Sequence, residues 1–227
     1  MKRVFFYILL QLVSVSSIAG LQLEATRVIY YSNNSSASLT LKNKTTQNYM
    51  LQTWLETADK KTDKGIPIQV VPPIMRVDAG KDATLRFIYS GSGLPTNRES
   101  LFWINNQEIP PASSKQNVLQ IAVHSRLKLF YRPKEINTTL EKEVAKLKWQ
   151  KIGNKVNVKN DGPMYISLNK LYGASKSAGS DVDIDMVAPF SSMTFNLPSS
   201  LMSLNKIDFS YINDYGGTTR VTGVLLK

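Results

Sequence analysis

No cysteine occurs anywhere in the 227 residues. That absence excludes small disulfide-stapled scaffolds and thiolate chemistry, so an exported fold must hold itself together by its hydrophobic core. Histidine is represented by His124 alone, inside a strand-like pattern where a solvent-facing or edge position is the plain reading. No serine sits in a G-x-S-x-G context, and there is no glycine-rich phosphate loop or cluster of His and Cys ligands. Asp181, Asp183 and Asp185 alternate in DVDID. A strand would line their carboxylates along one face, but calcium also needs a turn that wraps the ion, so an exposed acidic loop or edge strand is the reading. No enzymatic activity, metal or cofactor is expected.

Acidic residues are scarce too: 17 Asp and Glu stand against 28 Lys and Arg, a formal charge of +11. This balance favours acidic partners or anionic surfaces in general. The basic residues are dispersed, so nucleic acid is not an expected partner.

Long apolar runs are missing except at the start. Met1-Lys2-Arg3 precedes a short apolar stretch from Val4 to Val13, and Ser17-Ile18-Ala19-Gly20 follows. A charged start, a short apolar centre and small residues describe a secretory signal peptide over residues 1–19, cut after Ala19. A membrane anchor is the weaker reading, because the run falls short of the roughly 20 residues a spanning helix needs. The mature chain is therefore expected to be exported and soluble. Its length suits one large or two medium domains.

What the chain does have is β pattern. Strand-like runs cover residues 21–31, 38–44, 49–56, 68–71, 82–89, 100–105 and 118–131, with turn formers such as Ser32-Asn33-Asn34-Ser35 and Ser90-Gly91-Ser92-Gly93 between them. This spacing predicts an immunoglobulin-like sandwich without the Cys–Trp–Cys framework. Residues 140–149 carry the best helical pattern, too short to stand alone. Arg132-Pro133-Lys134-Glu135 marks the boundary. Beyond it, runs at 155–159, 165–171, 193–197, 207–212 and 220–226 again read as β. The expectation is an all-β chain of two immunoglobulin-like β-sandwich domains in series with a cleft between them. The first would span residues 20–132, a linker 133–136, and the second 137–227.

The run at 118–131 is long for a strand, since five or six residues is typical. Leu119, Ile121, Val123, Leu127 and Leu129 share one parity, whereas His124, Arg126 and Lys128 share the other. One face can simply be core. An alternating strand of this length with cations at one end can also pair with another chain's strand and hold an acid.

The stretch LPTNRESLFWINNQEIPP, from Leu94 to Pro111, resembles the signature of the PapD-like periplasmic chaperones of pilus assembly. NVLQIA and LKLFYRP are similar to that family's long donor strand, and Asn213-Asp214-Tyr215-Gly216-Gly217 resembles its second-domain motif. Thr26-Arg27-Val28 and Pro72-Pro73-Ile74-Met75-Arg76-Val77 add further matches, so both domains are covered. Asn106 departs from the pattern, standing where the signature has an aliphatic residue. The short connection 112–116 resembles the short-loop subgroup, which mostly serves rod-like pili.

The resemblance implies a periplasmic chaperone that binds, folds and caps pilus or fimbrial subunits, then delivers them to an outer-membrane usher-type pore without ATP. It implies that Arg27 and Lys128 grip the subunit's C-terminal carboxylate. Leu119, Ile121 and Val123 would fill the groove of an incomplete subunit, and Glu99, Arg132 and Asp214 would link the two domains. Strict alternation puts Lys128 on the face opposite the three groove-filling residues; a bulge, a twist or contacts from both faces would reconcile them. Without a client, the apolar segment can self-associate. The alternative is an exported structural or adhesive pilus subunit, which should have an incomplete sandwich and usually a cysteine pair. A secreted hydrolase or sugar-binding module finds no convergent acid–base pair.

Overall fold

The computed structural model describes residues 20–61, 65–113, 117–173, 182–197, 201–203 and 205–227. The expected signal peptide, Asp181 and most of the 112–116 connection lie outside the described residues. Among the described residues the chain is all-β apart from one short α-helix, and it builds two sandwiches, each around its own core.

In the first sandwich, one sheet runs β1(Leu21–Leu23), β3(Ala37–Asn43), β7(Asp82–Tyr89), β5(Ile68–Val71). The other runs β2(Arg27–Tyr31), β9(His124–Arg132), β8(Ser100–Ile109), β4(Tyr49–Thr57), β6(Ile74–Val77). Period-2 patterning sets which side chains meet. Along β7, Ala83, Leu85 and Phe87 are buried while Thr84, Arg86 and Ile88 are exposed. They face Leu51, Leu55, Ile104, Leu127 and Leu129 from the second sheet. Each fully buried side chain of this kind contributes roughly 1.5–3 kcal/mol.

In the second sandwich, β10(Lys148–Ile152), β11(Lys155–Asn160) and β15(Ser191–Asn196) form one sheet. The other runs β13(Val182–Asp183), β12(Ile166–Gly173), β16(Lys206–Ile212), β17(Thr218–Leu225), with β14(Met186–Val187) on β12. Trp149, Val156, Val158, Ile166, Leu171 and Phe209 meet at its centre. Helix α1(Leu140–Ala145) leads in, its first turn capped by the Thr139 side chain, which accepts from the Lys142 N–H.

Several sequence expectations need correction. Residues 21–31 are not one strand: β1 pairs with β3 and β2 pairs with β9, so the chain switches sheets between them. The proline-led stretch at 72–77 contains edge strand β6, and β8 extends to Ile109. The helical pattern at 140–149 stops at Ala145, and Lys148–Ile152 is a strand, its Trp149 drawn into the core. Strand β9 begins only at His124. In DVDID, by contrast, Asp183 lies in edge strand β13 and Asp185 beyond its end, both exposed, as an acidic loop or edge strand should be.

Candidate functional site

β9 sits between β8, which is antiparallel to it, and β2, which is parallel. The parallel ladder starts abruptly at Arg27↔Lys128 and continues to Tyr31↔Arg132. Among the described residues, 124–127 of β9 are therefore laddered to β8 alone, and their other edge is open.

The two parities of β9 do different work. Leu127 and Leu129 point into the first core. His124, Arg126, Lys128, Phe130 and Arg132 point outward, and cover increases along them: His124 and Arg126 are exposed, Lys128 is half-buried, Phe130 and Arg132 are buried. The second sandwich supplies that cover, with Tyr165 lying 5.8 Å from Phe130, ring to ring. Lys128 stands at its margin.

Arg27 is the register partner of Lys128 and shares its face. Its Nη1 donates to the Ile212 carbonyl at 3.1 Å and, more weakly, to Ser167 Oγ at 3.4 Å. Its Nε is buried with no hydrogen-bond partner. Burial lowers the pKa of Arg27, partly countered by attraction from Asp214. Burial and then the neighbouring Arg27 lower that of Lys128, while Asp185 pulls the other way. Among the described residues, no carboxylate lies within ion-pair distance of either cation. Two partly desolvated like charges, offset only by acids at longer range, carry a cost that a carboxylate placed between them would relieve.

Glu99, Arg132 and Asp214 are brought together. Arg132 Nε donates to Glu99 Oε1 at 2.6 Å, and its Nη1 and Nη2 donate to the two Asp214 oxygens at 2.6 and 2.9 Å. Although burial opposes it, hydrogen bonding and attraction from Asp214 and Glu99 hold the Arg132 proton more tightly than in an ordinary guanidinium. Glu99 also accepts from the Tyr165 N–H at 2.7 Å, and its own N–H donates to the Pro163 carbonyl at 2.9 Å. This trio joins the end of β9, the start of β8 and the β16–β17 turn across the junction of the sandwiches.

Sequence reasoning missed how that turn is held. Asn213 Oδ1 accepts from the Tyr215 and Gly217 N–H groups at 3.1 and 2.9 Å, which fixes Asp214 opposite Arg132. Gly216 takes a φ of +84°, and a Cβ there would stand 2.2 Å from Thr26 Oγ1. Only glycine allows the turn to reach the first sandwich. The Asn-Asp-x-Gly-Gly spacing carried the signal, but its partner, Thr26, lies far away in sequence.

Leu119, Ile121 and Val123 precede β9 and lie outside regular strand. They are 88%, 72% and 41% exposed. Val123 is tied down by its carbonyl, which accepts from the Glu108 N–H at 2.9 Å. Asn106, the departure from the signature, is buried on the core side of β8. The Thr53 hydroxyl donates to its Oδ1 at 2.8 Å, whereas its Nδ2 has no partner. His124 stacks on Trp54 and bonds Asn105, which also accepts from Arg126.

Residues 20–137 match the family model described as pili and flagellar-assembly chaperone, PapD N-terminal domain. Residues 142–223 match pili assembly chaperone PapD, C-terminal domain. The chain is 35% identical over 221 residues to the probable fimbrial chaperone YadV of Escherichia coli K12, covering 90% of this chain and 89% of that protein. It superposes on a chain from the Salmonella enterica SafA pilin in complex with the SafB chaperone with a TM-score of 0.81 and 29% identity, covering 93% of this chain and 99% of that one. Against the E. coli chaperone DraB the TM-score is 0.78 at 34% identity, with 92% and 97% covered.

Proposed function

The chain belongs to the PapD-like family of pili-assembly chaperones, and we propose that it captures each pilus subunit by its C-terminal strand and carboxylate. It is a non-enzymatic periplasmic chaperone of pilus assembly, and its partners are pilus subunits. Family membership sets aside the reading as a structural subunit.

The open edge of β9 beside residues 124–127 carries the mechanism. A strand added there would lie in line with β2 and meet its first residue, Arg27, end to end. For its C-terminus to arrive at Arg27 and Lys128, the added strand must run parallel to β9. Its terminal carboxylate then supplies the anion that the two desolvated cations lack. A chain terminus is the one carboxylate that every client presents at a fixed place, so gripping it sets the register of the whole added strand.

The same geometry supports an answer to the parity problem. Lys128 reaches the carboxylate from the outward face of the sheet. Leu119, Ile121 and Val123 belong to the core-side parity and meet the client's unfinished core from the other face. Residues 118–123 are exposed before capture, and they gain strand pairing and burial when the client docks. Three such side chains give at most about 5–9 kcal/mol gross, before ordering costs.

In this account Glu99, Arg132 and Asp214 hold the two sandwiches at the angle of a cleft that admits the client's end. The protein acts after removal of its leader and passes the capped subunit to an outer-membrane usher. The yield of a co-expressed pilus subunit tests the anchor: Lys128→Ala lowers it while the chaperone stays folded, and an unchanged yield counts against the grip.

A further inference from the structure

Glu108, near the end of β8, is a buried carboxylate with no described cation. It is 6% exposed. Its Oε2 accepts from the Leu21 N–H at 3.0 Å, its one hydrogen bond among the described residues. No Lys, Arg or His among them lies within ion-pair distance of it. Burial pushes its carboxyl up, opposed only by that hydrogen bond. Such a group is costly to keep ionised unless it finds a charge.

The carboxylate is pressed against Gly20. A Cβ on Gly20 would stand 2.2 Å from Glu108 Oε2, and the residue carries a left-handed φ of +41°. In the uncut chain the left-handed φ favours glycine here, and a side chain would also have to push the Glu108 carboxylate aside. In the uncut chain the Gly20 nitrogen is a neutral amide whose direction the preceding peptide bond fixes. Hydrolysis of the Ala19–Gly20 bond consumes one water, leaving a carboxylate on the departing leader and an ammonium on Gly20. Once free, that ammonium can swing about the Gly20 Cα–C bond toward the side on which a Cβ would stand, with the Glu108 carboxylate drawing back to hydrogen-bond distance.

We infer that Glu108 is the counter-ion of the mature N-terminus, so that leader removal locks the first sandwich. The inference rests on the reading of residues 1–19 as a leader cut after Ala19, and it goes beyond the capture of clients. The lock joins three places at once. It pins the start of β1, which pairs with β3. It holds the end of β8, and through the Glu108 N–H bonded to the Val123 carbonyl it braces the base of the client-binding segment. An uncut precursor has the carboxylate but not the cation, which leaves its first sandwich looser while it is still to be exported.

The test uses the full mature protein, made to start at Gly20, in urea unfolding. Glu108→Gln keeps an acceptor for the Leu21 N–H and removes only the charge. A second form adds one alanine ahead of Gly20 and moves the ammonium a residue away. Each should lower the urea midpoint, and the two combined should lower it no further than either alone, the mark of one shared interaction. N-terminal acetylation should mimic the added alanine. An unchanged midpoint in Glu108→Gln, or effects that simply add, overturns the pair. Separately, the intact mass of the naturally exported protein should place its first residue at Gly20. Any other start overturns the lock in the cell, whatever the unfolding shows.

Discussion

Arg27 and Lys128 face each other across the first rung of a parallel ladder, on one side of the sheet, and neither has an acid of its own. Their neighbours Asp214 and Asp185 attract them only at longer range, and Asp214 is already held by Arg132. An arrangement that costs energy in the free protein is a natural receptor for the group that would repay it.

The two cations should therefore behave differently in stability and in binding. Lys128→Ala removes a partly buried charge and its repulsion with Arg27, so the free chaperone should be at least as stable as the wild type. Its affinity for a subunit should fall by about 2–5 kcal/mol, as when one member of a buried charge pair is lost. Arg27→Ala should weaken capture similarly. It also loses the bond to the Ile212 carbonyl across the sandwich junction, so its stability should fall. Urea unfolding beside subunit titration separates the two effects.

Capture should also have an alkaline limit. Burial and Arg27 lower the pKa of Lys128 from the usual 10.5, and a bound carboxylate favours the protonated form. In the free protein Lys128 thus loses its proton at a lower pH than an ordinary lysine, and binding restores it. Affinity should decline with rising pH before 10.5 is reached, with proton uptake on binding in that range. Calorimetry in two buffers of different ionisation enthalpy measures the uptake, and Lys128→Arg should abolish it.

Ile121→Asp should separate folding from function cleanly. The side chain is 72% exposed, so stability should change by less than about 0.5 kcal/mol. Capture should weaken at least about tenfold, since a groove-filling aliphatic is replaced by a charge that must be desolvated. Normal capture by this variant would count against groove filling by residues 118–123.

At the sandwich junction, Arg132→Ala should be far worse than Asp214→Ala. The first leaves Glu99 buried without its cation, and breaking a buried pair in this way costs about 3–5 kcal/mol. Asp214 is more exposed, with 23% of its side chain accessible, and its loss still leaves Arg132 paired with Glu99. Thermal unfolding of the two variants gives the comparison.

Asn106 offers a test of the core. Replacing it alone by Leu strands the Thr53 hydroxyl, which loses its acceptor. Replacing both, as Asn106→Leu with Thr53→Val, removes a buried polar pair and the unpartnered Nδ2 together. The double variant should match or exceed the wild type in urea midpoint, and the single should not.

Period-2 patterning made most of this fold legible in the sequence, because alternation decides which side of a sheet is buried. It failed where tertiary context overrides local pattern. Residues 21–31 read as one run, yet the chain changes sheets between β1 and β2, and nothing local marks a change of partner. Residues 118–122 continue the alternation of β9 but join no sheet among the described residues, so pattern alone could not tell strand from segment. Trp149 sits within a helical pattern and is drawn into β10 by the second core. The site residues were readable as positions, through the resemblance of Arg27, Lys128, Glu99, Arg132 and Asp214 to a known constellation. The in-line placement of β2 and the open edge of β9 needed the ladder register. Gly216 against Thr26 and Gly20 against Glu108 are close approaches between distant segments, which no spacing announces.

The carboxylate grip is tested most directly by one comparison of affinities. A pilus subunit ending in its native carboxylate is titrated against the same subunit ending in a carboxamide, with everything else unchanged. The amide should bind more weakly by about 2–5 kcal/mol, roughly thirtyfold or more, and Lys128→Ala should erase most of that difference. Equal affinity for the two forms would contradict the account.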